Sequence, residues 1–272
     1  MIPAKFDYAR ATTVREAVDL LQRHGEDAKL IAGGHSLLPL MRLRLATPSL
    51  LVDVGRIPDL AYVREDGSEV AIGALTRHHD VHRSELLRAE APLVAHVAGQ
   101  VGDPQVRHRG TIGGSLAHGD PASDLPAAVL ALGGSLVVEG PSGRRTIPAT
   151  EFFVGFLETA LRPDEVLVEV RVPKGFRRYA FEKFNRRAQD WAIVGVAVAV
   201  NGSARVALVN MGSTPLRAAP VEEALASGAS AAEAAARAAE GTDPPADLNA
   251  SPEYRRHLAQ VLVRRALEGA GV

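Results

Sequence analysis

Apolar residues recur at two periods along this chain, and glycine-rich breaks separate the stretches. Val14, Ala17, Val18 and Leu21 repeat at helical spacing. Thr13 stands ahead of them as N-cap with Glu16 three residues on, the pattern of a capping box. Gly25 then supplies a helix stop. Short apolar runs at 29–32 and 50–54 read as strands, which makes residues 1–55 a first βαβ-like unit. Residues 61–65 and 69–74 predict a hairpin around Asp66-Gly67. A helix over 80–88 follows, then a second through Val94 and Val97, a glycine-rich loop at 110–124 and a small apolar helix at 125–132. Strands are expected at 135–139 and 166–172, and Pro173-Lys174-Gly175 marks a boundary, so residues 56–175 form a second unit.

The remaining residues, 176–272, form a third. Strand-like 179–184 is followed by 191–200 and 204–211 around a tight Asn201-Gly202 turn. Alanine-rich 215–239 predicts helix, and Ser251-Pro252 starts a last helix through 255–267, with serine as cap and proline at the first turn. The expected class is α+β, with the first two units assembling one ligand cleft and the third covering it.

Composition narrows the chemistry. A net charge of -1 gives no basic field for nucleic acid or an anionic membrane. With no cysteine, the chain can form neither a disulfide nor a thiolate-ligated iron–sulfur cluster. The start of the chain lacks a signal-peptide apolar region, and the apolar stretch at 191–200 is about half a bilayer span. A cytoplasmic protein is expected.

Three Gly-Gly pairs carry the candidate chemistry. Gly133-Gly134 lies between a helix and a strand and needs no more than a left-handed turn. Gly33-Gly34 and Gly113-Gly114 each sit beside hydroxyls, Ser36 in one case and Thr111 and Ser115 in the other. Unhindered amides in such segments can converge on an anion, and two segments suit a diphosphate held from both sides. Two tight turns would leave the same signature. Neither a Gly-x-Gly-x-x-Gly fingerprint nor a P-loop is present. Asp124 stands where a helix begins, either as its cap or as an acceptor for a ligand hydroxyl or ring N–H. His78 and His82 share a helix face, but no further clustered ligands accompany them and no metal is assigned.

Two segments are similar to the FAD motifs of molybdenum-hydroxylase flavoprotein subunits, the medium subunits of carbon-monoxide and xanthine dehydrogenases. The first runs from Ala32 through Gly33, Gly34, His35, Ser36 and Leu37 to Pro39, and the second from Arg107 to Pro126. Residues 179–184 and 253–258 extend the likeness to essentially the whole chain. The resemblance implies a vanillyl-alcohol-oxidase type FAD-binding fold of two α/β subdomains, plus a C-terminal α/β domain. It places Ala32, Gly33, Gly34, His35, Ser36 and Leu37 along the FAD pyrophosphate. Thr111, Gly113, Gly114, Ser115, His118, Asp120, Ser123 and Asp124 match cofactor-binding positions of the second motif. The resemblance brings the backbone of Val166 and Leu167 near the adenine and Lys183 near the isoalloxazine. There a cation would favour the reduced flavin. Trp191 falls where relatives often carry tyrosine, and could stack beside the flavin or be a core residue.

The implied activity is electron transfer: from two [2Fe–2S] clusters on a small partner subunit, fed by a molybdenum cofactor on a large one, through FAD to an external acceptor. A dimer of heterotrimers is expected, and no residue of this chain needs to act as acid, base or nucleophile. A self-contained flavin reductase and a non-catalytic assembly module are the rival readings.

Overall fold

The computed structural model describes residues 2–272. The first sheet contains β1 (Asp7–Arg10), β2 (Ala28–Ile31) and β3 (Leu50–Asp53) in the order β1-β3-β2, with both pairings parallel. Helix α1 (Val14–His24) is the crossover, burying Ala17, Val18 and Leu21 against the sheet. Thr13 accepts from the Glu16 amide, but the Glu16 carboxylate reaches back to Thr12, amide and hydroxyl, so the box closes one residue earlier than its spacing suggests. Gly25 ends α1 at φ +56°. The short helix α2 (Leu37–Arg42) has no counterpart in the sequence reading.

The second sheet is antiparallel and built from β4 (Val63–Asp66), β5 (Glu69–Gly73), β6 (Ser135–Gly140), β7 (Gly143–Pro148) and, further along the chain, a long strand at Val166–Pro173. That strand is β10; it follows the small helix α9 (Ala149–Phe152) and the ribbon of β8 (Phe153–Gly155) and β9 (Glu158–Thr159). The order is β4-β5-β10-β6-β7. Between β5 and β6 lie six helices: α3 (His78–Arg83), α4 (Glu85–Glu90), α5 (Pro92–Gln100), α6 (Pro104–Arg109), α7 (Ile112–His118) and α8 (Asp124–Leu132). The helix expected over 80–88 is thus two. Ser84 leaves helical geometry and its hydroxyl accepts from the Leu87 amide, starting α4.

The third sheet, β11 (Arg178–Phe184), β12 (Val194–Asn201), β13 (Ser203–Val209) and β14 (Leu216–Arg217), is antiparallel in sequence order. Alternation along β12 explains how it joins the rest. Val194, Val196, Val198 and Val200 pack with the C-terminal helices, α10 (Ala219–Ala226), α11 (Ala231–Ala235) and α12 (Pro252–Gly269). Ala197 and Ala199 face the other way, into the core that contains α8. Small residues there let α8 approach closely. Every residue of α8 is buried, which its all-round apolar character requires. Burial of the four valines contributes roughly 6–12 kcal/mol before the entropy of ordering. Strand β12 starts at Val194 rather than at 191, and the 215–239 segment opens with β14 and breaks at Ser227 before α11. No helix among the described residues is long and apolar enough to cross a membrane.

Candidate functional site

A single cleft of about 980 Å³ runs between the first and second sheets and reaches the third, at the upper end for a cofactor pocket. Of the residues expected at the site, all but Asp120 line it. Asp120 instead turns its carboxylate onto the Ala122 amide at 2.8 Å and lines a neighbouring hollow.

The two glycine segments touch, and glycine is what permits it. A Cβ on Gly33 would lie 2.3 Å from the Arg109 carbonyl oxygen and 2.8 Å from Gly110 Cα. A Cβ on Gly113 would meet Ala74 backbone at 2.6 Å. Gly34 has φ +76°, a conformation that favours glycine. In that first segment the amides of Gly33, Gly34, His35 and Ser36 have no acceptor among the described residues. Ser36 makes no cap bond to α2, and its hydroxyl has no partner among the described residues.

The second segment differs from expectation. It is not a loop through 110–124: Thr111 caps α7, and its hydroxyl accepts from the Gly114 amide at 3.0 Å. The Ile112 amide donates to Thr76, the Gly113 amide to Ala74 and the Ser115 amide to Thr111. Its amides are therefore committed within the protein, and the expectation that both glycine pairs offer amides holds for the first alone. What the second segment offers the cleft is the Ser115 hydroxyl, and a surface stripped of side chains at Gly114.

At the far end Asp124 opens α8 without capping it. Ser123 occupies the cap position, also without a side-chain cap bond. The Asp124 carboxylate instead pairs with Lys183 from β11 at 2.7 Å, with both side chains nearly buried. Its other oxygen is buried and has no partner among the described residues. Burial pushes Asp124 up to about 6, against the pull of the Lys183 cation. Trp191 lies outside β12, more than half exposed, at a wall shared by the cleft and the neighbouring hollow, and so is not a core tryptophan. His118 is half-buried in the cleft, and burial pulls it below the usual histidine range.

One lining residue was invisible as such in the sequence. His78 is 2% exposed, and its Nε2 lies 3.1 Å from Ser115 Oγ. His82, its helix neighbour, turns to the Ala95 carbonyl. No spacing rule couples residues 78 and 115; the bridge between Arg77 and Thr111 brings them together.

Residues 4–175 match the family described as the FAD binding domain in molybdopterin dehydrogenase. The chain belongs to that family. Residues 179–270 match the CO dehydrogenase flavoprotein C-terminal domain. The carbon monoxide dehydrogenase medium chain of Hydrogenophaga pseudoflava is 45% identical, over 99% of this chain and 98% of its own length. Subunit alpha of the 6-hydroxypseudooxynicotine dehydrogenase complex of Paenarthrobacter nicotinovorans is 40% identical over 99% and 96%. Among solved structures, carbon monoxide dehydrogenase from H. pseudoflava lacking the Mo-pyranopterin moiety superposes with a TM-score of 0.96 at 46% identity, covering 100% of this chain and 99% of that one. Quinoline 2-oxidoreductase from Pseudomonas putida 86 gives 0.93 at 31% over 100% and 99%. The chain is thus a flavoprotein subunit of the molybdenum-hydroxylase type, an oxidoreductase component.

The residues present fit FAD. Four adjacent free amides with the hydroxyls of Ser36 and Ser115 suit a diphosphate, and the orphaned Asp124 oxygen is a buried acceptor for a ligand N–H or O–H.

Two buried groups give the fold opposed pH dependences. Burial pulls His78 down to about 4, so its contribution is complete above its ordinary value near 6.5 and is lost as pH falls toward 4. Asp124 is raised, so its contribution is present at low pH and is lost as pH rises through about 6. His78→Gln is expected to gain about 2 kcal/mol relative to wild type between pH 7 and pH 5. Urea midpoints at the two values check this, and parallel curves would contradict it.

Proposed function

We propose that this cleft holds FAD with its diphosphate on the amides of Gly33, Gly34, His35 and Ser36, facing Ser115, and its flavin end toward Asp124, Lys183 and Trp191. The adenine end lies by Val166 and Leu167. Ala32, Leu37, Thr111, Gly113, Gly114, His118 and Ser123 complete the walls, and Asp120 supports its turn from behind. Residues 1–55 and 56–175 form the two halves of the cleft, with 176–272 laid across its flavin end. The observation that carries this reading is the row of four unspent amides pressed against a side-chain-free stretch of the second segment.

When bound, FAD supplies the exchange between one-electron and two-electron chemistry. This chain's residues bind and orient it, and the Lys183–Asp124 pair tunes the charge beside it. With no cysteine to hold a cluster, the chain receives electrons from a neighbour. That neighbour is a small [2Fe–2S] subunit, fed by a large subunit with the molybdenum cofactor, in a dimer of heterotrimers in the cytoplasm. An external acceptor takes the electrons from the flavin. The substrate is chosen on the large subunit.

Titration of the flavin-stripped chain with FAD, read by flavin fluorescence, is expected to give saturable one-to-one binding. A chain that takes up no FAD is the assembly-module outcome. Rapid NAD(P)H-dependent turnover of a small substrate by the isolated FAD-loaded chain would instead establish a self-contained reductase.

A further inference from the structure

We propose that His78 is a positioning residue that fixes the Ser115 hydroxyl as a donor into the cleft, aimed at an anionic oxygen of the diphosphate; the inference rests on the reading above. Thr76–His78 runs antiparallel to Gly110–Ile112: the His78 amide donates to the Gly110 carbonyl at 3.0 Å and the Ile112 amide to Thr76 at 3.0 Å. Gly110 has no side chain, and a Cβ there would lie 2.7 Å from His78 Cδ2. The ring is therefore locked under the second segment with Nε2 on Ser115 Oγ.

Its other nitrogen decides the tautomer. Nδ1 is buried with no partner among the described residues. An orphaned buried N–H is rarer and costlier than an orphaned acceptor, so the proton belongs on Nε2. Nε2–H then donates to Ser115 Oγ. The serine's own proton must point elsewhere, and no acceptor for it exists among the described residues. Ser115 lines the cleft, so the proton turns inward. The amides around it are all committed, which leaves this hydroxyl to do what the backbone of the second segment cannot. Burial keeps His78 neutral through the physiological range, so this arrangement persists.

The test is a double-mutant cycle on FAD affinity in the full-length chain. Ser115→Ala and His78→Leu are each expected to weaken FAD binding about tenfold, the weight of one hydrogen bond to an anion. The double variant should be no weaker than either single one, because His78 acts through Ser115. Additive losses would show that His78 only packs, and would overturn the proposal. His78→Gln, whose amide can also donate, should recover most of the affinity; no recovery counts against it. The tautomer is read separately on the flavin-free wild-type chain by ¹⁵N-histidine NMR, assigning the resonance by its disappearance in His78→Gln. A bare Nδ1 and protonated Nε2 are expected, and the opposite tautomer ends the idea even if His78→Leu fails to fold. Failure of the wild-type chain to bind FAD would sink the cleft reading instead, and would remove the role proposed here with it.

Discussion

Gly33→Val is expected to empty the chain of flavin. The backbone of Arg109 and Gly110 occupies the space a side chain at Gly33 needs, with the carbonyl oxygen 2.3 Å from an ideal Cβ. Neither partner is the flexible end of a side chain, so the two segments must separate. Over-packing of this kind costs about 1–3 kcal/mol or more. The loss falls where the four free amides must sit opposite Ser115. We expect FAD affinity to fall at least 100-fold, measured by fluorescence titration, with the third sheet intact by circular dichroism. Gly114→Val is the informative contrast. A Cβ there meets only the Thr111 hydroxyl, at 2.8 Å, and otherwise open space. It should reduce FAD occupancy while disturbing the fold less. Equal flavin content in wild type and Gly33→Val would contradict the placement of the diphosphate.

Lys183→Met is expected to destabilise the chain by about 3 kcal/mol at pH 8, because it strands a buried carboxylate. The sign of the pH dependence follows from Asp124, which burial holds at about 6. Below that value the carboxyl is protonated and little charge is left to strand. The cost should therefore shrink to about 1 kcal/mol at pH 5. Denaturant melts at both pH values check this, and an equal cost at both would disprove it. The pair also changes what the lysine does to a bound flavin. Lys183 and Asp124 are neutral as a unit, so Lys183 is not the unpaired cation that the resemblance implied. Asp124→Asn leaves a net positive charge and should raise the flavin midpoint potential. Lys183→Met should lower it at pH 8, and the double variant should return toward wild type. Shifts on the order of tens of mV correspond to interactions of ~1–2 kcal/mol. Unchanged potentials in both single variants would remove the pair from any tuning role.

Much of this site was legible in the sequence. The first glycine pair, the hydroxyl beside it and Asp124 were marked by residue type and motif, and Lys183 by the family resemblance, and they line one cleft. Local signals misled where a contact far away in sequence outweighed them. Gly113-Gly114 looked like a loop because glycine disfavours helix. It is helical with Thr111 as its cap, and residue 113 is glycine because Ala74 leaves no room for a side chain there. Of the two roles open to Asp124, cap or ligand acceptor, the cap falls to Ser123, and Lys183, 59 residues away, claims one carboxylate oxygen. Trp191 looked like the start of a strand, yet the strand begins at Val194 and leaves the indole largely exposed.

The sequence by itself determined the periodic elements, the valine and alanine faces of β12, the absence of any thiolate ligand and the family. These depend on residue type and short-range spacing, which each segment carries with it. Only the tertiary structure decided which amides remain free, which carboxylate oxygen is orphaned, and that His78 lies under Ser115. Those are matters of hydrogen-bond accounting between segments, and an amide or carboxylate is free or spent only once the rest of the chain has been packed around it.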